Sequence, residues 1–133
     1  MKAAKKFGLR VSCDLNYRKK LWKWGKSPQE VMTEMAGCVD ILIANEEDCQ
    51  KCLGIELDVD VTAGSLDSSK YKLLAEKIMK RFPNISALAV SLRESVSADW
   101  NNWSIVMATK EGFYVSKKYE ISRTAPTCMK AGE

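Results

Sequence analysis

Three short apolar runs, separated by stretches with helical spacing, set the reading of this chain. Residues 9–14 (LRVSCD), 39–44 (VDILIA) and 85–92 (ISALAVSL) are of the length and character of buried strands. Residues 1–8 read as the end of a helix stopped at Gly8. Ser27-Pro28-Gln29-Glu30 is a helix start, with Ser as N-cap, Pro at the first position and Glu at the third. Val31, Met32, Met35 and Ala36 then keep helical spacing as far as Gly37. Residues 46–53 predict a short helix stopped by Gly54. Residues 68–82 predict a longer one, apolar at Tyr71, Leu74, Ala75, Ile78 and Met79 and ended by Pro83-Asn84. Residues 103–109, the turn Lys110-Glu111-Gly112 and residues 113–115 predict a β-hairpin. Residues 118–121 suggest a further strand. Residues 55–66 are acidic and turn-rich and give no clear element.

Short apolar strands alternating with helices predict an α/β fold, a mostly parallel sheet covered by helices on both faces. In open sheets of this kind ligands gather outside the carboxyl ends of the strands. Three polar clusters fall at such ends: Asp14-Leu15-Asn16-Tyr17-Arg18, Asn45-Glu46-Glu47-Asp48 and Ser91-Leu92-Arg93-Glu94.

Each cluster has a chemical reading beside an ordinary one. Asp14, Asn16 and Arg18 alternate, and in extended backbone they would point the same way. An acid, an amide and a guanidinium on one side suit a polyol acid, because Arg grips a carboxylate with two N–H groups. Asp and Asn are also common turn residues. Asn45 reads as an N-cap, and three acids behind it offset the helix dipole. The same oxygens could serve a hydrated Mg²⁺ beside phosphates.

Composition narrows the classes. The chain has 133 residues, 46% of them apolar and 29% charged, which suits one globular domain. The net charge is +4, with Lys and Arg scattered among acids, so a nucleic-acid partner is not expected. There is no histidine, which excludes Ser-His and Cys-His pairs; a general base would be a carboxylate, Lys, Tyr or thiolate. Five cysteines, odd in number and irregularly spaced, argue for a reducing, cytoplasmic setting. Cys49-Gln50-Lys51-Cys52 lacks the second pair of a zinc site and the context of a redox motif. It reads as small apolar helix residues. Trp22, Trp24, Trp100 and Trp103 read as core or interface anchors before stacking platforms. No signal peptide and no membrane-spanning run is apparent. Neither the phosphate-binding G-x-x-x-x-G-K-S/T loop nor G-x-G-x-x-G occurs.

Taken together, the clusters resemble the middle of a PfkB-type (ribokinase-like) carbohydrate kinase. Residues 13–22 (CDLNYRKKLW) resemble the D-x-N-Y-R-x-x-L-W strand end typical of the 2-keto-3-deoxygluconate kinases of that family. Residues 40–48 (DILIANEED) resemble its N-x-x-E segment, with Asp48 in place of the usual Glu. Residues 88–97 (LAVSLRESVS) followed by Asn101-Asn102-Trp103-Ser104 resemble the strand leading toward the nucleotide; Arg93 stands where many relatives have Gly. The resemblance spans residues 1–121, the expected central part of the kinase domain.

It implies a ribokinase-like fold and ATP-dependent phosphorylation of a sugar-acid hydroxyl, 2-keto-3-deoxygluconate to its 6-phosphate, with Mg²⁺. Arg18 would hold the substrate carboxylate and Asn16 the sugar, with Asp14 beside them. Asn45 and Asp48 would organise Mg²⁺ and phosphate, and Ser91 and Arg93 would lie near the nucleotide. No residue would bind the metal directly. The family's Asp-Arg-x-G-x-G-Asp segment has no counterpart: residues 121–133 read ISRTAPTCMKAGE. Arg123 matches the family Arg, but the glycines and the general-base Asp are missing, and nothing glycine-rich recommends Glu133. Residues 122–133 are therefore expected to be a divergent tail, and the chain a piece of a kinase without activity alone, prone to self-association through open sheet edges. The alternatives are a kinase for fructose or ribose and a non-catalytic α/β module that binds a ligand or partner.

Overall fold

The computed structural model describes residues 1–23, 25–56, 68–97 and 99–122. Trp24, most of the acidic stretch 55–66 and the tail from Arg123, with Cys128 and Glu133, lie outside the described residues. In chain order the elements are α1 (Lys2–Lys6), β1 (Ser12–Asp14), a 3-10 turn (Lys19–Leu21), α2 (Pro28–Ala36), β2 (Ile41–Asn45), α3 (Glu46–Leu53), α4 (Ser68–Arg81), β3 (Ala87–Ser95), β4 (Trp100–Thr109), β5 (Phe113–Val115) and β6 (Tyr119–Ser122).

The caps form as their chemistry directs. Glu30 N donates to Ser27 Oγ at 3.2 Å, and Ser27 N donates back to Glu30 Oε2 at 2.7 Å, which closes a capping box behind Pro28. α3 ends at Gly54, whose φ of 63° is a left-handed conformation that costs glycine little.

Strands β1, β2 and β3 lie side by side and parallel, and β4 joins β3 antiparallel. β5 and β6 both pair with β4. The α/β fold expected from the sequence is present, with its hairpin: β1, β2 and β3 form the parallel part of the sheet, and β4, β5 and β6 add an antiparallel part. A second hairpin, β3–β4, was not foreseen: its ladder runs from Ala87↔Thr109 out to Ser95↔Asn101. β1 is also shorter than the apolar run 9–14, because Leu9 is 58% exposed and Val11 N donates to the Asp40 side chain rather than to a ladder.

The pleat sorts the sheet into two faces. Register aligns Leu42, Leu88 and Ala108 in one row and Ala44, Val90 and Val106 in the next, and all six are buried. They form one core with Cys49, Cys52 and Leu53 of α3 and Leu74, Ala75 and Ile78 of α4. α3 and α4 contact this sheet directly. On the opposite face Ile43, Ala89, Met107 and Tyr114 are aligned across four strands. Ile43 is 39% and Met107 42% exposed, so the expected helical cover on both faces is present, among the described residues, on one.

Candidate functional site

The first two polar clusters meet at one end of the parallel strands, and of the third only Ser91 is aligned with them. Asp14 pairs with Ile43 and Leu15 N donates to Ile43 O at 3.0 Å, so the chain leaving β1 draws level with Asn45, the last residue of β2. Ser91 pairs with Asn45 from β3. Helix α3 starts at once from Asn45, and its first turn faces the segment after β1.

That segment is not extended throughout. Asn16 has φ +35°, a conformation that Asn tolerates better than most residues. The alternation expected over residues 14–18 is therefore broken at Asn16. Leu15 is nonetheless buried and Tyr17 half-buried, while Asp14, Asn16 and Arg18 are exposed. Arg18 Nη1 donates to Tyr17 O at 2.9 Å. The Tyr17 and Trp22 rings stand 6.5 Å apart, and Trp22 Nε1 donates to Lys26 O at 2.6 Å. The 3-10 turn that follows keeps the basic pair Lys19 and Lys20 exposed.

The acids of α3 have different duties. Asn45 Oδ1 accepts from Asp48 N at 2.7 Å, which satisfies an orphan donor of the first turn. Asp48 is 4% exposed, and its Oδ1 accepts from Tyr17 N at 2.9 Å. Desolvation raises the Asp48 pKa above the usual carboxylate value; the Tyr17 hydrogen bond opposes this, Asp14 adds to it and Arg18 offsets it. Glu46 accepts from the Tyr71 hydroxyl at 3.2 Å. Burial, and then Glu46, push that phenol up to about 12. Glu47 pairs with Lys51 one turn on, which holds its carboxyl below the usual range. The Asp48–Tyr17 link joins residues 31 apart in sequence, and no local signal could have revealed it.

The third cluster is tied to its own hairpin. Ser91 is half-buried. Arg93 Nε donates to Asn101 Oδ1 at 3.0 Å, and its guanidinium stands 5.7 Å from the Trp103 ring centre. Glu94 accepts from Asn102 Nδ2 at 3.0 Å and from Lys118 Nζ at 2.8 Å.

Among the described residues no group of three His, Cys, Asp or Glu could hold a metal ion. Asn45 Oδ1 and Asp48 Oδ1 each already accept a backbone N–H. This donor set fits a Mg²⁺ that keeps its own waters and phosphates and meets the protein through them, and does not fit a protein cage. Cys49 and Cys52 are buried, and burial pushes their thiols to about 12 and about 11. They are small apolar residues of α3, as their spacing suggested.

No protein-family model and no curated protein matches the chain. Solved structures do. A 2-dehydro-3-deoxygluconokinase from Thermotoga maritima is 38% identical, with a TM-score of 0.78, over 91% of this chain and 34% of that one. A PfkB family carbohydrate kinase from Listeria grayi is 22% identical, with a TM-score of 0.67, over 91% of this chain and 34% of that one. A fructokinase from Xylella fastidiosa, solved with bound ATP, is 16% identical, with a TM-score of 0.52, over 86% of this chain and 29% of that one. The last two likenesses are of fold alone. The structural neighbours of the chain are thus PfkB-family carbohydrate kinases, its fold matches the ribokinase-like kinases, and it spans about a third of the length of these relatives.

Proposed function

We propose that this chain, with the fold and motifs of the PfkB-family carbohydrate kinases, is the sugar-acid-binding part of a kinase that phosphorylates 2-keto-3-deoxygluconate at its 6-hydroxyl. The observation that carries the reading is the exposed Asp14, Asn16 and Arg18 at the carboxyl end of β1, in a chain 38% identical to a 2-dehydro-3-deoxygluconokinase. A guanidinium has five N–H donors. With one engaged by Tyr17 O, Arg18 keeps enough to hold a carboxylate with two parallel bonds. Asn16 and Asp14 supply an amide and an acceptor for sugar hydroxyls.

The donor in this reading is ATP with Mg²⁺, as the family resemblance implies. When bound, the cation would offset charge on the phosphates. Asn45 and Asp48 would serve it through water, and Ser91 and Arg93 would lie on the nucleotide side. Phosphoryl transfer asks a protein mainly to position reactants and neutralise charge. The general-base Asp implied by the family resemblance has no counterpart in residues 121–133, so the chain alone binds without turning over. No helix of the described residues is long and apolar enough to cross a membrane. The odd and irregularly spaced cysteines favour a reducing, cytoplasmic setting in this reading, with small-molecule partners and no nucleic acid expected.

Titration calorimetry on the 133-residue chain tests this, with 2-keto-3-deoxygluconate, a neutral sugar and ATP-Mg²⁺ in turn. Binding of the sugar acid in preference to the neutral sugar supports the reading. Binding of none of the three, by a chain that unfolds cooperatively, would replace it with a partner-binding module. Substrate-dependent ADP release would overturn the statement that the chain alone is inactive.

A further inference from the structure

Asp48 is the one charged side chain buried among the described residues, and it lies under the exposed polar limb that follows β1. Its Oδ1 accepts the Tyr17 amide at 2.9 Å. That amide sits between Asn16, left-handed at φ +35°, and Arg18. The acceptor is itself fixed, because Asp48 N donates to the Asn45 cap at 2.7 Å. A second tie comes from the next turn of α3, where Lys51 Nζ stands 5.5 Å from the centre of the Tyr17 ring. Leu15, on the other side of Asn16, is buried at 2% exposure. The limb is thus pinned at Leu15 and Tyr17, and the residues between and beyond the pins, Asn16 and Arg18, are the exposed ones.

We infer that Asp48 is a positioning residue for the sugar-acid limb: through the Tyr17 amide it sets where Asn16 and Arg18 stand, and it joins that limb to the helix that opens at Asn45. The inference rests on the proposed sugar-acid site for its substrate, and on geometry alone for its action. It assigns Asp48 a duty toward the sugar acid that is independent of nucleotide and cation. A buried carboxylate is a costly anchor unless its hydrogen bonds are kept, and a site residue displaced by a fraction of an ångström loses its alignment. What the role requires of residue 48 is an acceptor oxygen at that place.

Two variants separate that requirement from charge. Asp48→Asn keeps an acceptor oxygen of the same reach, and Asp48→Ala removes it. Amide hydrogen exchange at Tyr17 reads the limb directly, and thermal unfolding checks that both variants fold. Sugar-acid affinity, from Trp fluorescence without nucleotide or Mg²⁺, reads the consequence. In Asp48→Ala we expect Tyr17 exchange to rise about tenfold or more while the amides of β2 keep their protection. We expect affinity to fall about tenfold in the same variant, and Asp48→Asn to stay near the parent in both. Unchanged Tyr17 exchange in Asp48→Ala would overturn the inference. So would faster exchange without loss of affinity, or an Asp48→Asn variant as impaired as Asp48→Ala. A parent chain that binds no sugar acid would remove the proposed function, and the exchange data would then decide alone whether Asp48 fixes the limb.

Discussion

The backbone N–H of Val11 donates to Asp40 Oδ2 at 2.8 Å, while Val11 O accepts from Asp40 N, also at 2.8 Å. This closed pair starts the β1–β2 ladder. Lys5 Nζ adds a bond of 2.6 Å to Asp40 Oδ1, so one carboxylate ties α1, β1 and β2 together. The Lys5 hydrogen bond, and then the Val11 amide, hold the Asp40 pKa below 3.8. The folded state therefore favours the ionised form. The contribution of Asp40 is present above pH 3.8 and is lost as pH falls through the lower folded value. Asp40→Ala should lower the unfolding temperature near neutral pH and flatten the acid branch of its pH dependence. Circular dichroism melts of both proteins, stepped down through that region, check this; parallel acid branches would rule it out.

The Asn45 cap gives a second prediction. Its Oδ1 satisfies Asp48 N at 2.7 Å, and substituting a capping Asn by Ala typically costs about 1 kcal/mol. Asn45→Ala should destabilise the chain by about that much in urea unfolding, and Asn45→Ser by much less. Equal losses in the two variants would mean that Asn45 serves something other than the cap.

The cap was legible in sequence because its chemistry is local. Ser27, Pro28 and Glu30, and likewise Asn45 and Gly54, act within a turn of where they stand. The strand runs were legible for a similar reason, since Leu42, Leu88 and Val90 fall on one buried face. The β3–β4 hairpin was not. Residues 93–102 (RESVSADWNN) are mostly polar, and their ladder is reinforced by cross-strand pairs such as Glu94–Asn102 and Arg93–Trp103, which leave no apolar alternation to read. At the candidate site, Asp14, Asn16, Arg18, Asn45 and Asp48 could be named from sequence. Their arrangement could not, because it turns on a left-handed Asn16 and a contact between Tyr17 and Asp48.

The thiols of α3 should be inert in the folded chain. Burial raises Cys49 to about 12 and Cys52 to about 11, so hardly any thiolate forms at mildly alkaline pH. Iodoacetamide followed by peptide mass mapping should find both unmodified before unfolding and both modified in denaturant. Rapid labelling of Cys52 in the folded chain would show that α3 opens from the core.

The exposed sheet face bears on association. Ile43, Ile105, Met107 and Tyr114 are 39%, 41%, 42% and 55% exposed, and contiguous apolar surface of this kind favours contact between molecules. Sedimentation velocity of the isolated chain should show mass rising with concentration. Met107→Lys, in the middle of the face, should shift the distribution toward monomer without lowering the unfolding temperature. A monomeric parent over the whole range would mean that this face is not adhesive.

Arg18 decides between substrate classes. It is exposed, donates to Tyr17 O at 2.9 Å, and adjoins the backbone amide held by Asp48. If the ligand is a sugar acid, the guanidinium meets its carboxylate, and a charge-assisted pair of that kind contributes about 1.5–3 kcal/mol. Arg18→Ala should then weaken 2-keto-3-deoxygluconate binding by one to two orders of magnitude. Arg18→Lys should recover only part of it, because an ammonium cannot present the paired fork. Neither variant should change affinity for a neutral sugar. Calorimetry with the acid and with its reduced, uncharged analogue reads both effects. Equal losses for the two ligands would mean that Arg18 shapes the limb without meeting the carboxylate, and no loss for either would move the sugar-acid site away from β1.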